Sequence, residues 1–170
     1  MDIPVIGLAG YSGSGKTTFL EKLILELKNR GYRIGVIKHT SHPVEFDRPG
    51  KDTWRHARAG ADVVALASPD NVAVVRKHKS SPGPEDVLPL VTGVDLIIVE
   101  GFKKGSWPKI EIIRDEVPER PVIPAEELLA VVGGAAPIEG APLYGLEDAA
   151  AVAELIEQQF LKKSSQVSTV

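Results

Sequence analysis

At 170 residues the chain is long enough to bury one sizeable α/β core and too short for two comfortable ones unless the second is a small appendage. Hydrophobic residues at 43% and charged residues at 25% are ordinary globular values that suggest neither wholesale disorder nor a membrane protein. The absence of cysteine removes disulfides, thiol nucleophiles and thiolate metal sites, and a net charge of -3 gives no global pull toward nucleic acid.

Ile3 to Ala9 is a short apolar run that ends at Gly10, the pattern of a buried parallel strand. From Lys16 to Arg30 the residues Phe19, Leu20, Leu23, Ile24 and Leu27 recur at three-to-four-residue spacing, which predicts an amphipathic helix closed by Gly31. Arg33 to His39 resembles a second strand. The segment S-H-P-V-E-F-D-R-P-G-K-D after it carries two prolines and a glycine and reads as loop. Thr53 to Ala59 is helix-compatible, and Asp62 to Ala67 with Asn71 to Arg76 reads as a hairpin across Ser68-Pro69-Asp70, expected to extend an edge of the sheet. Pro84 to Val91 suits a short helix. Asp95-Leu-Ile-Ile-Val-Glu100 is the strongest buried-strand signal, Lys109 to Arg114 and Leu128 to Val132 repeat it, and Glu147 to Leu161 closes with a helix. The expectation is one P-loop domain over residues 1–162, a mostly parallel α/β sheet flanked by helices with an added antiparallel hairpin, and a frayed polar tail at 163–170. Met1 leads straight into the first strand with no signal-peptide pattern, and no apolar stretch approaches membrane-spanning length, so the default expectation is a cytoplasmic protein with no membrane partner.

Residues Gly10 to Thr17 read G-Y-S-G-S-G-K-T and meet the pattern G-x-x-x-x-G-K-[ST] between an apolar strand and an amphipathic helix. Gly10, Gly13 and Gly15 let successive backbone N–H groups turn inward around an anion, and the helix N-terminus adds further unpaired donors and its dipole. The loop Gly10, Tyr11, Ser12, Gly13, Ser14, Gly15, Lys16, Thr17 and Thr18 is therefore expected to hold a nucleoside triphosphate, with Lys16 bridging the β- and γ-phosphates and Thr17 ligating Mg2+. A turn that merely joins strand to helix is the blander alternative. Such sites need an acid at the end of a neighbouring buried strand. Glu100, at the carboxyl end of its strand, is the expected metal-side acid, directly or through water, whereas Asp95 starts that strand and reads as solvated.

The loop G-Y-S-G-S-G-K-T-T, the segment I-K-H-T followed by F-D-R-P-G-K-D-T-W-R-H-A-R-A-G-A, and D-L-I-I-V-E-G-F-K together resemble the MobB family, the adapter proteins of molybdopterin-guanine dinucleotide biosynthesis. The resemblance implies a dimeric GTP-binding protein that uses Mg2+ and hydrolyses GTP weakly. It further implies work beside the guanylyltransferase MobA, which joins GMP to molybdopterin, with molybdopterin or its guanine dinucleotide as a further guest.

Lys38, His39, Asp47, Lys51 and Asp52 fall where P-loop proteins place residues that sense the γ-phosphate. Asp47 or Asp52 then orients water or a metal ligand, and the alternative is that these charges solvate a loop or make a dimer contact. His39 and His42 lack further ligands for a zinc site. Trp54 and Trp107 either stack on a pterin or base or anchor loops, and Arg55, His56 and Arg58 form a basic helix face. Guanine preference comes from the resemblance alone: no N-K-x-D element occurs, and Gly133-Gly134 stands where relatives often carry a Ser-Asp-like pair. The rival function is a small-molecule kinase, for which Arg114 to Arg120 supplies two arginines but in a proline-bearing stretch ill-suited to a helical lid.

Overall fold

In the computed structural model, which describes residues 3–102, 105–114, 123–134 and 138–161, the apolar run of the first strand becomes β1 (Val5–Ala9). The helix after the Gly-rich turn is α1 (Lys16–Asn29), with Phe19, Leu20, Leu23 and Leu27 on its buried face, each stabilising the fold by on the order of 2 kcal/mol. It ends because Gly31 adopts φ +91°: the Gly31 N–H donates to Lys28 O and the Tyr32 N–H to Leu27 O, which satisfies carbonyls the helix leaves unpaired.

The chain continues through β2 (Ile34–Lys38), α2 (Asp52–Ala59), β3 (Val63–Ala67), β4 (Val72–Arg76), α3 (Pro84–Val87) and a 3-10 turn at Leu88–Leu90. It then forms β5 (Leu96–Glu100), β6 (Lys109–Ile112), a 3-10 turn at Ala125–Glu127, β7 (Leu128–Val132), β8 (Leu143–Tyr144) and α4 (Ala149–Phe160). The tail at 163–170 and the Arg120 end of the Arg114 to Arg120 stretch lie outside the described residues.

Two compact units result, one of Met1–His39 with Pro84–Val170 and one of Thr40–Gly83. The first holds a six-stranded sheet in the order β2-β5-β1-β6-β7-β8, every neighbouring pair parallel. Alternation along the strands splits its core between two faces. Ile6, Leu8, Ile98, Ile110 and Ile112 meet α1 and α4 on one side, while Ile37, Ile97 and Val99 pack with Val87, Leu88, Val91 and Trp107 in a separate cluster. The central strands β5 and β7 are buried over nearly their whole length, which explains their unbroken apolar sequence.

The second unit contains α2 and the hairpin of β3 with β4, paired antiparallel from Val63↔Arg76 to Ala67↔Val72. None of its residues is buried. Contrary to the expectation that the hairpin extends an edge of the main sheet, β3 and β4 form a two-stranded sheet of their own. Both strands are exposed over nearly their whole length, so water satisfies their outward-facing N–H and C=O groups and neither edge requires β2 or β8 as a partner.

At the amino-terminal rim of the main sheet the Arg33 guanidinium grips both Asp95 oxygens at 2.7 and 3.1 Å, and the Arg33 N–H adds a bond of 2.7 Å. Asp95 is thus a clamp between the starts of β2 and β5 rather than a merely solvated residue. The Arg33 hydrogen bonds hold its carboxyl down at about 2. On the helix side, Tyr32 donates to Glu157 at 2.6 Å, and burial first, then that carboxylate, pushes the phenol up to about 12.

Candidate functional site

The turn between β1 and α1 lies at the carboxyl edge of the parallel sheet, where open α/β sheets bind ligands. Gly10, Gly13 and Gly15 have φ of +137°, +78° and +93°, conformations that side-chain-bearing residues rarely adopt. At Gly10 space matters as well: a Cβ there would lie 2.4 Å from the Ile112 carbonyl oxygen. Lys16 curls back over the turn and donates to the carbonyls of Gly10 at 3.0 Å and Tyr11 at 2.5 Å. Its ammonium therefore sits over the loop that the sequence pattern assigns to phosphates. The loop fits an anionic polyphosphate, since its three glycines leave the backbone open to close approach and a lysine already spans it.

A cleft of about 270 Å³ runs from this loop along the edge, lined by Gly10, Ser12, Lys16, His39, Glu100 and Lys109 among others. Of the sequence-predicted residues, the structure therefore brings together Gly10, Ser12, Lys16, His39 and Glu100. Thr17 and Thr18 are exposed at the start of α1, and Ser14 is buried beneath the loop. The Glu100 carboxylate is only 13% exposed and pairs with Lys38 at 3.3 Å. Asp47 belongs to the second unit, where its carboxylate accepts from the Arg48 N–H at 2.7 Å and where it helps line an apolar cavity. Asp52 is exposed at the start of α2, 3.8 Å from Arg55. Among the described residues no three His, Asp or Glu side chains form a ready-made metal cluster.

Two residues of the cleft gave no functional signal in the sequence. Gly7, in the middle of β1, looks like any small core residue, yet a Cβ there would meet the Trp107 indole at 2.7 Å, so the glycine makes room for that ring. Lys109, at 2% exposure, opens a strand whose Ile110 and Ile112 turn toward α1. Its ammonium is satisfied by the carbonyls of Gly105 and Trp107 and by Glu127, which ties the chain after Glu100 to the start of β7. Trp107 is thus a loop anchor packed on the sheet, while Trp54, with Arg58 5.6 Å above its ring, lines the cavity of the second unit. At the end of β7 a Cβ on Gly133 would fall 2.3 Å from the Ile113 carbonyl oxygen, which accounts for a glycine where a polar base reader was expected.

Comparison with known proteins places this geometry in a lineage. The family described as MobB, molybdopterin guanine dinucleotide synthesis protein B, matches residues 5–134. The molybdopterin-guanine dinucleotide biosynthesis adapter protein of Haemophilus influenzae is 42% identical over 142 residues, 81% of this chain and 78% of its own. The protein of that name from Escherichia coli is 40% identical over 126 residues, 70% of each chain. Among solved structures, MobB of Bacillus subtilis superposes with a TM-score of 0.71 at 26% identity, covering 93% of this chain and 98% of its own. With the family's sequence pattern running from β1 through β7 and the fold shared along nearly all of a solved member, this chain belongs to the MobB family.

Proposed function

We propose that the cleft beside the phosphate loop binds GTP with Mg2+ and hydrolyses it slowly. In this reading the chain serves in the cytoplasm as an adapter in molybdopterin-guanine dinucleotide biosynthesis, working with the guanylyltransferase MobA. The observation that carries the nucleotide reading is Lys16 folded over a loop of three positive-φ glycines at the sheet's carboxyl edge, with Glu100 in the same cleft. The adapter role rests on the family and on what its relatives in Haemophilus influenzae and Escherichia coli are called.

In this reading the amides of Tyr11 to Gly15 hold the phosphates, with Ser12 and Ser14 contributing to the loop's shape and Lys16 neutralising charge. Thr17 and Thr18 stand at the helix start, and Thr17 and Glu100 are the residues that would hold Mg2+, which when bound offsets phosphate charge. Asp47 is the candidate for orienting water, and molybdopterin or its dinucleotide is a candidate second guest. A homodimer is part of the same proposal. Val44, Phe46, Leu66 and Val75 are exposed in the second unit, Phe46 by 82%, and line an apolar cavity of about 260 Å³ that a second copy of the chain would cover.

Calorimetric titration with GTP and with ATP, each with Mg2+, tests the site. GTP is expected to bind more tightly, and Lys16→Ala to abolish binding while unfolding remains cooperative. Undiminished affinity in that variant would sink the assignment; phosphate transfer to a metabolite would turn it into a kinase. Light scattering on the purified chain checks the dimer.

A further inference from the structure

His39 is the last residue of the first unit before Thr40, and it lines the cleft together with Lys16 and Glu100. Its position is fixed from several directions. The backbone N–H donates to the Glu100 carbonyl at 2.8 Å, continuing the β2–β5 ladder by one residue. Gly101, at φ +105°, lies so close that a Cβ would sit 2.8 Å from the His39 carbonyl oxygen and 2.9 Å from its Cβ. Phe102 then stacks on the imidazole with ring centroids 4.1 Å apart and an interplanar angle of 29°.

Phe102 makes that stack from φ +43°, the one non-glycine residue with positive φ among the described residues. A bulky side chain in that region is an outlier, and such strain persists where the surroundings over-determine it, most often at ligand clamps and switch regions. Holding an aromatic ring flat against another does not by itself require a histidine, because phenylalanine would stack as well. What histidine adds is a ring N–H, and neither ring nitrogen is hydrogen-bonded to a described residue. The donor is therefore pre-positioned in the cleft in which Lys16 stands at the phosphate loop.

We propose that His39 is the specificity-determining residue that meets the terminal phosphate of the bound nucleotide, so that its ring N–H distinguishes a triphosphate from a diphosphate. The strained Gly101–Phe102 corner is the device that holds the ring in place for this contact. The inference rests on the nucleotide reading of the cleft and adds to it a residue outside the phosphate-loop pattern.

The test measures the affinity of the full chain for a nonhydrolysable GTP analogue and for GDP, each with Mg2+, in the wild type, His39→Phe, His39→Asn and Phe102→Leu. His39→Phe keeps a stackable ring and removes both nitrogens. It is expected to weaken the triphosphate analogue about tenfold, the worth of one hydrogen bond to a charged group, and to leave GDP within twofold. His39→Asn, which restores a donor, should recover part of that loss, and Phe102→Leu, which frees the ring, should weaken the analogue several-fold with cooperative unfolding retained. An unchanged ratio of the two affinities in His39→Phe overturns the proposal, as does a wild type that binds both nucleotides equally. Failure of the wild type to bind either nucleotide overturns the nucleotide reading itself, and this inference with it.

Discussion

Gly10→Ala and Gly13→Ala put the same methyl group into the same turn but into different surroundings. At Gly10 the new Cβ would lie 2.4 Å from the Ile112 carbonyl oxygen and 2.9 Å from Ser14 Oγ. The carbonyl is backbone of β6 and cannot swing aside as a flexible side chain would. A carbon–oxygen contact relaxes only at about 3.3 Å, so the end of β1 and β6 must separate by roughly 0.9 Å. Overpacking of that kind costs about 2 kcal/mol, and φ +137° adds about 1–2 kcal/mol for a residue with a Cβ, giving about 3–4 kcal/mol in all. At Gly13 no heavy atom lies within 4 Å. Only the conformational cost remains there, about 1 kcal/mol, partly offset by the lower entropy of the unfolded chain. Urea unfolding followed by circular dichroism should therefore separate the two variants by about 2 kcal/mol or more. In parallel, titration with GTP and Mg2+ should show binding lost in Gly10→Ala and weakened in Gly13→Ala. Equal destabilisation by the two substitutions would refute the reasoning, because it would mean that the approach of Ile112 does not constrain the loop.

Asp95→Asn should cost about 1 kcal/mol at neutral pH, less than its lowered pKa alone suggests because the carboxylate is 33% exposed and its partner Arg33 more so. A carboxyl depressed from 3.8 to about 2 contributes stability that is complete above the unfolded value and disappears as the pH falls through about 2. Denaturation curves of wild type and variant should accordingly converge over that acid window; a constant gap down to its lower end would count against the clamp. Tyr32→Phe removes the hydrogen bond to Glu157 and should lower stability by about 1 kcal/mol, measured by urea unfolding. Because the phenol is raised from 10.0 to about 12, the wild-type advantage should persist up to pH 10 and fade as the pH rises through about 12.

How far the sequence disclosed the molecule depends on the range of the interactions involved. Val5–Ala9, the glycine turn and Lys16–Asn29 were legible because each is set by local pattern: apolar run, turn residues, then a 3.6-residue period. The same holds for β5 and β7, whose apolar runs carry their own signal. β8 was not seen, since a two-residue strand offers no periodicity. The clamp of Arg33 on Asp95 joins residues 62 apart, and Lys109 with Glu127 joins residues 18 apart; neither pairing leaves a trace in local spacing. Gly7, Gly101 and Gly133 are legible as glycines, but their reasons, an indole, a histidine backbone and a strand carbonyl, come from elsewhere in the chain. The hairpin was legible and its partner was not, because pairing within β3 and β4 says nothing about which edge, if any, they join. At the cleft, the sequence pointed to Lys16 and Glu100 by motif and strand position, while the stacking that fixes His39 required the fold.

β2 and β5 are adjacent in the sheet although the paired residues Lys38 and Glu100 are 62 positions apart, and the whole of Thr40–Gly83 lies in the span between them. The entropic penalty for closing so long a loop grows by only about 0.6 kcal/mol for each doubling of its length. Descendants of this chain can therefore lengthen or trim that excursion by many residues with little thermodynamic consequence for the strands it separates. The toll falls on kinetics instead, because pairing between segments so far apart in the chain forms slowly.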